Sequence, residues 1–274
     1  MIRIDMHVHS SFSDGTCSVD EIAKQAAARG IVILALTDHD NLDGQKSFAS
    51  ACKKYSIKHL PGVELSSKCP FTAHILGYRL TKTQPLEEAL EWVVKRRNER
   101  NSLILERLNS QGVKINIEDI EFEAGGRVIA RPHFASALVK KGYVPDITSA
   151  FSKYLAKGAA AYVSREAYSP EDCVRLIREA GGLPVLAHPS LTGLDNKGLG
   201  DFLDELTEYG LWGLECISSH CKADEALGFL KIASEHNLFP TAGSDFHGAR
   251  RPGITLGVQV TESFLPWARL GVAL

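Results

Sequence analysis

The 274-residue sequence has no long apolar run, no closely spaced cysteine pair and no large excess of either charge. No stretch approaches about 18 uninterrupted apolar residues, which excludes a membrane-spanning helix, and we expect no membrane partner. A net charge of −2 excludes the broad basic field that non-specific nucleic-acid binding requires. The first residues, MIRIDMHVHS, lack the basic and then apolar pattern of a secretion signal. We therefore expect a cytoplasmic protein.

The cysteines are few and scattered, and none of them forms a CxxC pair. A chain of this length with 44% hydrophobic residues can bury a large core without disulfides. We therefore expect reduced thiols at Cys17, Cys52, Cys69, Cys173, Cys216 and Cys221. Histidine and carboxylate side chains are therefore the candidates for a functional site.

Short apolar runs alternate along the chain with patterns typical of amphipathic helices. The run IRIDM (2–6), for example, precedes a helical pattern over 18–30 in which Ser18 and Glu21 form a capping box. Repeated strand and helix order predicts an α/β fold with a mainly parallel sheet, open or closed into a barrel. The predicted strands are 2–6, 31–37, 57–65, 183–188, 211–217 and 238–247.

Residues 85–159 interrupt this alternation. The stretch 85–112 has the pattern of one long amphipathic helix, and two shorter helical patterns follow it. We therefore predict a small helical insertion domain at 85–159 within a main domain formed by 1–84 and 160–274. The run KRRNER (95–100) either attracts a phosphate-rich substrate or forms the solvated face of its helix.

Histidine, aspartate or glutamate follows almost every predicted strand. Because the carboxyl ends of parallel strands meet at one face, we expect these side chains to converge on one mouth. Packing alone does not explain so many polar endings to apolar runs. The residues at these strand ends are His7, His9, Asp14, Asp38, His39, Asp40, Glu64, His188, Glu215, His220, Asp245 and His247.

Two of these strand ends carry pairs of candidate metal ligands. Residues two apart in a strand share a face, so His7 and His9 can reach the same ion, and Asp245 and His247 repeat the spacing. Asp5 lies on the same face as His7 and is a candidate carboxylate acceptor behind the ligands.

The mixture of imidazole and carboxylate, without thiolate, predicts the kind of metal. Such a set suits Mn, Fe or Zn, and the number of acids favours Mn or Fe, with Mn as the first candidate. More than four candidate ligands imply more than one divalent ion. Glu64 stands alone at its strand end, and its two oxygens suit it to bridge two ions.

Six short motifs carry a resemblance to a known family. In order, DMHVHSSFSDG, ALTDHDNLDG, PGVELS, AHILGY, ARPH and GSDFHG resemble the signatures of the PHP (polymerase and histidinol phosphatase) phosphoesterase family. The resemblance implies a distorted seven-stranded (β/α) barrel that holds up to three metals. It also implies nine ligands, in three sets: His7, His9, Glu64 and Asp245 for the first metal; Glu64, His74 and His133 for the second; Asp14, His39 and His247 for the third. Some members have histidine where this chain has Asp14, a difference that bears on the third metal.

Within the family, the motifs FSDGT, ARPHFA and LAHP resemble one branch. This branch contains nucleoside 3′,5′-bisphosphate phosphatases and enzymes that trim short oligoribonucleotides from the 5′ end. The resemblance therefore implies hydrolysis of phosphomonoesters by a hydroxide that bridges two metals. The implied partners are a small phosphorylated substrate, a nucleotide or short single-stranded RNA, and no obligate protein partner is evident.

Three further residues are candidates for direct contact with the substrate. Arg131 can clamp a phosphate with two hydrogen bonds, or it is a solvent-facing residue at a helix start. His188 and His220 remain after nine ligands are assigned, and we expect them to contact phosphate or to protonate the leaving oxygen. Their alternative is a structural role.

Other functions stay open at this point. Histidinol-phosphate phosphatase is the nearest alternative substrate assignment. A non-catalytic, metal-stabilised module is less favoured, because structural metal sites are closed whereas this mouth has spare arginine and histidine side chains. Metal amidohydrolases also begin with HxH, but they bridge their metals with a modified lysine, and no strand end here offers one.

Overall fold

A computed structural model describes residues 1–124 and 128–272. The strands within this part are β1 (Ile2–Val8), β2 (Ile31–Leu36), β3 (Lys58–Ser66), β4 (His74–Tyr78), β5 (Leu183–Leu186), β6 (Gly213–Ile217), β7 (Phe239–Ala242) and β8 (Val258–Val260). The helices are α1 (Val19–Ala28), α2 (Gln45–Lys54), α3 (Gln84–Ser110), α4 (Ile117–Ala124), α5 (Arg131–Lys140), α6 (Ile147–Ala150), α7 (Pro170–Glu179), α8 (Asn196–Glu208) and α9 (Ala223–Glu235).

The strands that the structure describes form one sheet in the order β7-β6-β5-β4-β3-β2-β1-β8. Strand β4 runs antiparallel to both of its neighbours, and β8 runs antiparallel to β1, whereas the other pairs are parallel. The predicted α/β barrel is confirmed, but the described sheet has eight strands rather than seven. The additional strand, β8, has only three residues, too few to produce a recognisable apolar pattern.

The sheet nearly closes where β1 approaches the end of β7. Val8 pairs in parallel with Phe246, and the backbone N–H of His9 donates to the Phe246 carbonyl at 2.9 Å. A Cβ on Gly243 would overlap the backbone and Cβ of His7, so only glycine permits this approach. The closure places the carboxyl ends of β1 and β7 side by side.

Strand β1 is buried on both faces and receives a hydrogen bond from a strand that is not its neighbour in the sheet. The residues from Ile4 to Val8 are all buried. The following helix, α1, starts at the predicted capping box, in which the Ser18 side chain accepts from the backbone N–H of Glu21. Tyr78 of β4 donates its hydroxyl to the Met6 carbonyl at 2.8 Å, which ties two non-adjacent strands together.

The chain divides into two compact units, which we describe separately. The barrel unit comprises Met1–Leu90 and Tyr168–Leu274, and the helical unit comprises Glu91–Ala167. The helical unit has its own buried core, which includes Ile104, Leu108, Phe134 and Leu138. The limits predicted for the insertion, 85–159, remain a prediction.

Among the described residues the structure has neither disulfides nor a helix that could span a membrane. All six cysteines are free thiols, as expected. Among the helices of residues 1–124 and 128–272, none combines the length and apolar character that a membrane span requires.

Candidate metal centre

Four side-chain atoms form a tight buried set, and they come from β1 and the residue just after it, from β3 and from the segment after β7. His7 Nε2 lies 3.1 Å from His9 Nε2, 3.3 Å from Glu64 Oε2 and 3.4 Å from Asp245 Oδ1. His9 Nε2 lies 3.2 Å from both of these carboxylate oxygens. Two ligands held about 2.1 Å from a shared ion lie about 3.0–3.4 Å apart. The spacing therefore fits four ligands that hold a single divalent ion.

Several buried polar atoms at this mouth have no hydrogen-bond partner among the described residues. Glu64 Oε2, for example, lies 3.0–3.3 Å from nitrogens of His7, His9 and His39 without forming a hydrogen bond to any of them. Such atoms are costly unless something else satisfies them, and a divalent cation does so. The residues present therefore fit metal ions. The unsatisfied atoms here are His9 Nδ1, Asp14 Oδ1, Glu64 Oε2, His188 Nδ1 and His247 Nε2.

The other oxygen of Glu64 faces a second group of imidazoles. Glu64 Oε1 lies 2.9 Å from His74 Nδ1 and 3.0 Å from His188 Nε2. His39, Glu64 and His74 together could hold an ion. Because each Glu64 oxygen faces a different set of nitrogens, Glu64 is the candidate ligand for two ions.

His74 could not be found by inspecting strand ends. It begins strand β4 rather than ending it, and it pairs with Ser66 at the end of β3. Because β4 is antiparallel to its neighbours, its first residue lies at the mouth where the other strands finish. The resemblance in AHILGY located His74, whereas strand-end reasoning requires a parallel strand.

A third group lies beside the loop that follows β1. His9, Asp14, His39 and His247 could hold an ion, and Asp14 Oδ1 lies 3.3 Å from His247 Nε2. Asp38 fixes this loop by accepting hydrogen bonds from the backbone N–H and hydroxyl of Ser10.

Asp40 supports the neighbouring loop by accepting from the backbone N–H of Ser66 at 2.9 Å. Like Asp38, it holds the loop that carries candidate ligands.

Glu215 at the end of β6 supports the first group from behind. Its Oε1 lies 2.9 Å from His7 Nδ1, and its Oε2 accepts from the backbone N–H of His188 at 2.7 Å. A proton on His7 Nδ1 leaves the Nε2 lone pair directed at Glu64 and Asp245, which is the tautomer that a metal ligand needs.

Asp5 supports the backbone and not the imidazoles. It was expected to accept hydrogen bonds behind the ligands, but its oxygens accept from the backbone N–H groups of His7, Ser244 and Gly257 and from the Ser244 hydroxyl. The carboxylate behind the His7 imidazole is Glu215 instead. Burial raises the pKa of Asp5 to about 6, although these hydrogen bonds oppose the rise.

Replacement of Glu215 with glutamine should weaken the metal centre without removing a ligand. The amide can hold His7 in the wrong tautomer, and outer partners of this kind contribute roughly 10- to 100-fold in metal affinity. We expect Mn affinity, measured by competition with a chelating dye, to fall within that range. Glu208→Gln, at the end of α8, removes the same charge outside the mouth. It is the control and should leave Mn affinity unchanged.

Sequence reasoning missed Arg251, which lies in the loop after β7. Asp245 Oδ2 accepts hydrogen bonds from His220 Nε2, at 2.6 Å, and from Arg251 Nη1. Arg251 Nη1 also lies 2.8 Å from His220 Nε2. Asp245 therefore presents one oxygen to the candidate ligands and the other to His220 and Arg251. An arginine in the run ARRPG carries no signal in a single sequence.

Two residues predicted for the site, Arg131 and His133, belong to the helical unit. His133 is buried on the first turn of α5, where its Nδ1 accepts from the backbone N–H of Ala130 at 3.0 Å. Arg131 is half-buried, lies over the Tyr162 ring at 5.7 Å and donates to the Leu155 carbonyl at 3.4 Å. The ligand role of His133 and the phosphate clamp of Arg131 remain predictions.

The charges at the mouth shift the pKa values of its histidines in opposite directions. Burial lowers the pKa of His39 to about 3, because the nearby carboxylates Glu64 and Asp14 offset it only in part. Burial also opposes charge on His9, but the nearby carboxylates of Asp245 and Glu64 outweigh burial and raise its pKa to about 10. A proton on His9 must leave before a metal binds, so metal affinity should fall as the pH falls.

The chain matches one family model and several known proteins. The PHP domain family model matches residues 5–163. The chain is 35% identical to a 3′,5′-nucleoside bisphosphate phosphatase of Chromobacterium violaceum over 278 residues, which covers 98% of this chain and 95% of that protein. It is 32% identical over 250 residues to the 5′-3′ exoribonuclease Rnm of Escherichia coli, covering 89% of this chain and 84% of that one.

A solved structure is similar over the same length. An amidohydrolase from Chromobacterium violaceum, with bound SO4 and no metal, superposes with a TM-score of 0.84 at 32% identity and covers 98% of this chain and 95% of that one. The chain belongs to the PHP domain family. Its predicted class, a metal-dependent phosphoesterase, is confirmed.

Proposed function

We propose that the protein hydrolyses a phosphomonoester of nucleoside 3′,5′-bisphosphates, with short 5′-phosphorylated RNA as the second candidate substrate. The observation that carries the proposal is the buried set formed by His7, His9, Glu64 and Asp245, whose atoms have metal-ligand spacing. Relatives named for a bisphosphate phosphatase and an exoribonuclease support these substrates. The cytoplasmic location stays a prediction.

We propose two or three divalent ions, with Mn as the first candidate and Fe or Zn as alternatives. The first would be held by His7, His9, Glu64 and Asp245. Bound ions of this kind supply an activated water and neutralise charge on the phosphate. The second ion would take Glu64 and His74, and the third would take Asp14, His39 and His247.

The remaining polar groups of the mouth are placed to act on the substrate. His188 Nδ1 is buried and has no hydrogen-bond partner among the described residues, while its Nε2 lies 3.0 Å from Glu64. Its φ of 27° lies in the left-handed region, which is strained for histidine and is held by the Glu215 contact to its N–H. We propose that His188 donates a proton to the leaving oxygen and that His220 contacts the phosphate.

His188→Asn should separate catalysis from metal binding. General acid–base catalysis contributes about 10²- to 10⁴-fold, so kcat should fall by at least about 10²-fold. Metal content, measured by plasma mass spectrometry, should stay at the wild-type value. Metal content that falls together with kcat would identify His188 as a ligand and overturn its proposed role. His59→Asn, outside the mouth on β3, is the matched control and should change neither quantity.

A substrate panel tests the proposed function. The Mn-loaded protein should release phosphate from nucleoside 3′,5′-bisphosphates faster than from nucleoside monophosphates or histidinol phosphate, and its action on short 5′-phosphorylated RNA should be measured alongside. The solved structure named as an amidohydrolase makes an amide panel the necessary comparison. Ammonia release without phosphate release would overturn the proposal, and release of neither product would favour a non-catalytic module.

A further inference from the structure

Arg251 is a cationic residue of the mouth with no role in the proposed function. Its Nη1 donates to Asp245 Oδ2 and lies 2.8 Å from His220 Nε2. The Asp245 side chain is 3% exposed, whereas the Arg251 side chain is 35% exposed. The guanidinium therefore reaches from the rim of the mouth to a buried carboxylate that is a candidate metal ligand.

Hydrogen bonds to the loop after β1 fix the segment that carries Arg251. The backbone N–H of Thr16 donates to the His247 carbonyl at 3.1 Å, and Thr16 Oγ1 accepts from the backbone N–H of Ala249 at 2.8 Å. Arg251 closes a tight turn, in which its own backbone N–H donates to the Gly248 carbonyl at 3.3 Å. The backbone around Arg251 is therefore anchored independently of its side chain.

The two oxygens of Asp245 have different surroundings. Oδ1 lies 3.2 Å from His9 Nε2 and 3.4 Å from His7 Nε2, which is the spacing of ligands that share an ion. Oδ2 lies 2.6 Å from His220 Nε2 and accepts a hydrogen bond from Arg251. A carboxylate oxygen has about two lone-pair positions, so these two contacts can occupy both positions on Oδ2.

Of the two partners of Oδ2, only Arg251 is always a donor. A guanidinium stays protonated in proteins, whereas a neutral imidazole carries its proton on either of two nitrogens. If His220 Nε2 lacks a proton, it can accept from Arg251 Nη1 instead of donating to Asp245. Arg251 therefore holds Asp245 Oδ2 in both tautomers of the imidazole.

A carboxylate binds a divalent ion through one oxygen or through both. Because Arg251 holds Oδ2, Asp245 offers an ion one oxygen, which leaves a coordination position open for water or substrate, as catalytic sites require. We propose that Arg251 is a positioning residue that keeps Asp245 a one-oxygen ligand of the first metal. This inference rests on the proposed function, because it takes the first proposed metal as given.

Crystals of the full-length protein grown with Mn, in wild type and in Arg251→Gln, test this role. The Mn ion should contact Asp245 through one oxygen in the wild type and through both in the variant. Because the variant gains a ligand atom and loses a nearby positive charge, its Mn affinity, measured by competition with a chelating dye, should rise by about threefold or more. Its kcat for phosphate release should fall by about 10- to 100-fold, since the position for water or substrate is filled. Replacement of a residue that only supports the fold would instead lower both quantities.

Two further variants make the test specific. Arg251→Lys should restore the one-oxygen contact and a kcat within about threefold of the wild type, because a single Nη atom makes both contacts and an ammonium group can replace it. Arg175→Gln removes the same charge from an exposed arginine of α7 that also pairs with a carboxylate, Asp172, at 2.8 Å, and it should change nothing. A one-oxygen contact in Arg251→Gln, or a two-oxygen contact in the wild type, would overturn the role of Arg251.

The outcomes separate this inference from the proposed function. Wild-type crystals with no Mn at Asp245 would count against the proposed metal centre and would overturn the role of Arg251 with it. A wild-type protein that binds Mn there but releases no phosphate would overturn the proposed function alone. In that case the number of Asp245 oxygens on the ion in the two proteins still decides the role of Arg251.

Discussion

Glu64→Gln is expected to lower kcat/KM for phosphate release by about 10³-fold or more, a loss of about 4 kcal/mol of transition-state stabilisation. Glu64 is fully buried, and its two oxygens lie within 3.3 Å of five imidazole nitrogens, those of His7, His9, His39, His74 and His188. A glutamine offers one neutral oxygen and an NH2 group that only donates hydrogen bonds, so it cannot bridge two ions. Metal content should fall in parallel with activity.

Glu21→Gln is the matched control for Glu64→Gln. Glu21 is an exposed carboxylate in the capping box of α1, so this change removes the same charge without touching the mouth. We expect activity and metal content to remain at wild-type values and the free energy of unfolding to fall by no more than about 1 kcal/mol. Glu64→Gln protein with full metal content and activity within about tenfold of wild type would refute the bridging role.

Removal of divalent metals is expected to abolish phosphate release and to lower the melting temperature. Saturation at about 1,000 times Kd contributes about 4 kcal/mol of stability, and each kcal/mol shifts Tm by about 2–4 °C for a chain of this size. We therefore expect Tm, measured by calorimetry with and without chelator, to fall by about 10 °C. Addition of Mn should restore both activity and Tm.

The same measurement on Glu64→Gln separates specific from general effects of the ion. Mn should raise the Tm of this variant much less than that of the wild type, because the variant lacks the carboxylate that both proposed metal sites share. An equal rise in both proteins, or full activity in the presence of chelator, would contradict a metal centre at this mouth.

Much of the barrel could be predicted from the sequence because parallel strands leave a regular signal. The runs that precede His7, His39 and Asp245 are mostly apolar and end in candidate ligands, which indicates both the strand and its functional end. Strand β4 was not recognised in this way, since it is antiparallel and carries His74 at its start. Strand β8 is three residues long and leaves no periodic pattern.

The sequence predicts the candidate metal ligands better than it predicts the side chains that hydrogen-bond to those ligands. Glu215 ended a strand, but only its 2.9 Å contact to His7 Nδ1 reveals that it sets a tautomer. Arg251 reaches Asp245 from an irregular loop, where side-chain direction depends on tertiary contacts. The burial of Arg100 within a run of charged residues depends on packing in the helical unit and could not be predicted from the run itself.

Anomalous diffraction from crystals grown with Mn tests the metal centre directly. We expect a strong peak about 2.1–2.3 Å from His7 Nε2, His9 Nε2, Glu64 Oε2 and Asp245 Oδ1, and a second peak near Glu64 Oε1 and His74. A fully occupied Mn ion elsewhere in the molecule, with no peak among these four atoms, would contradict it.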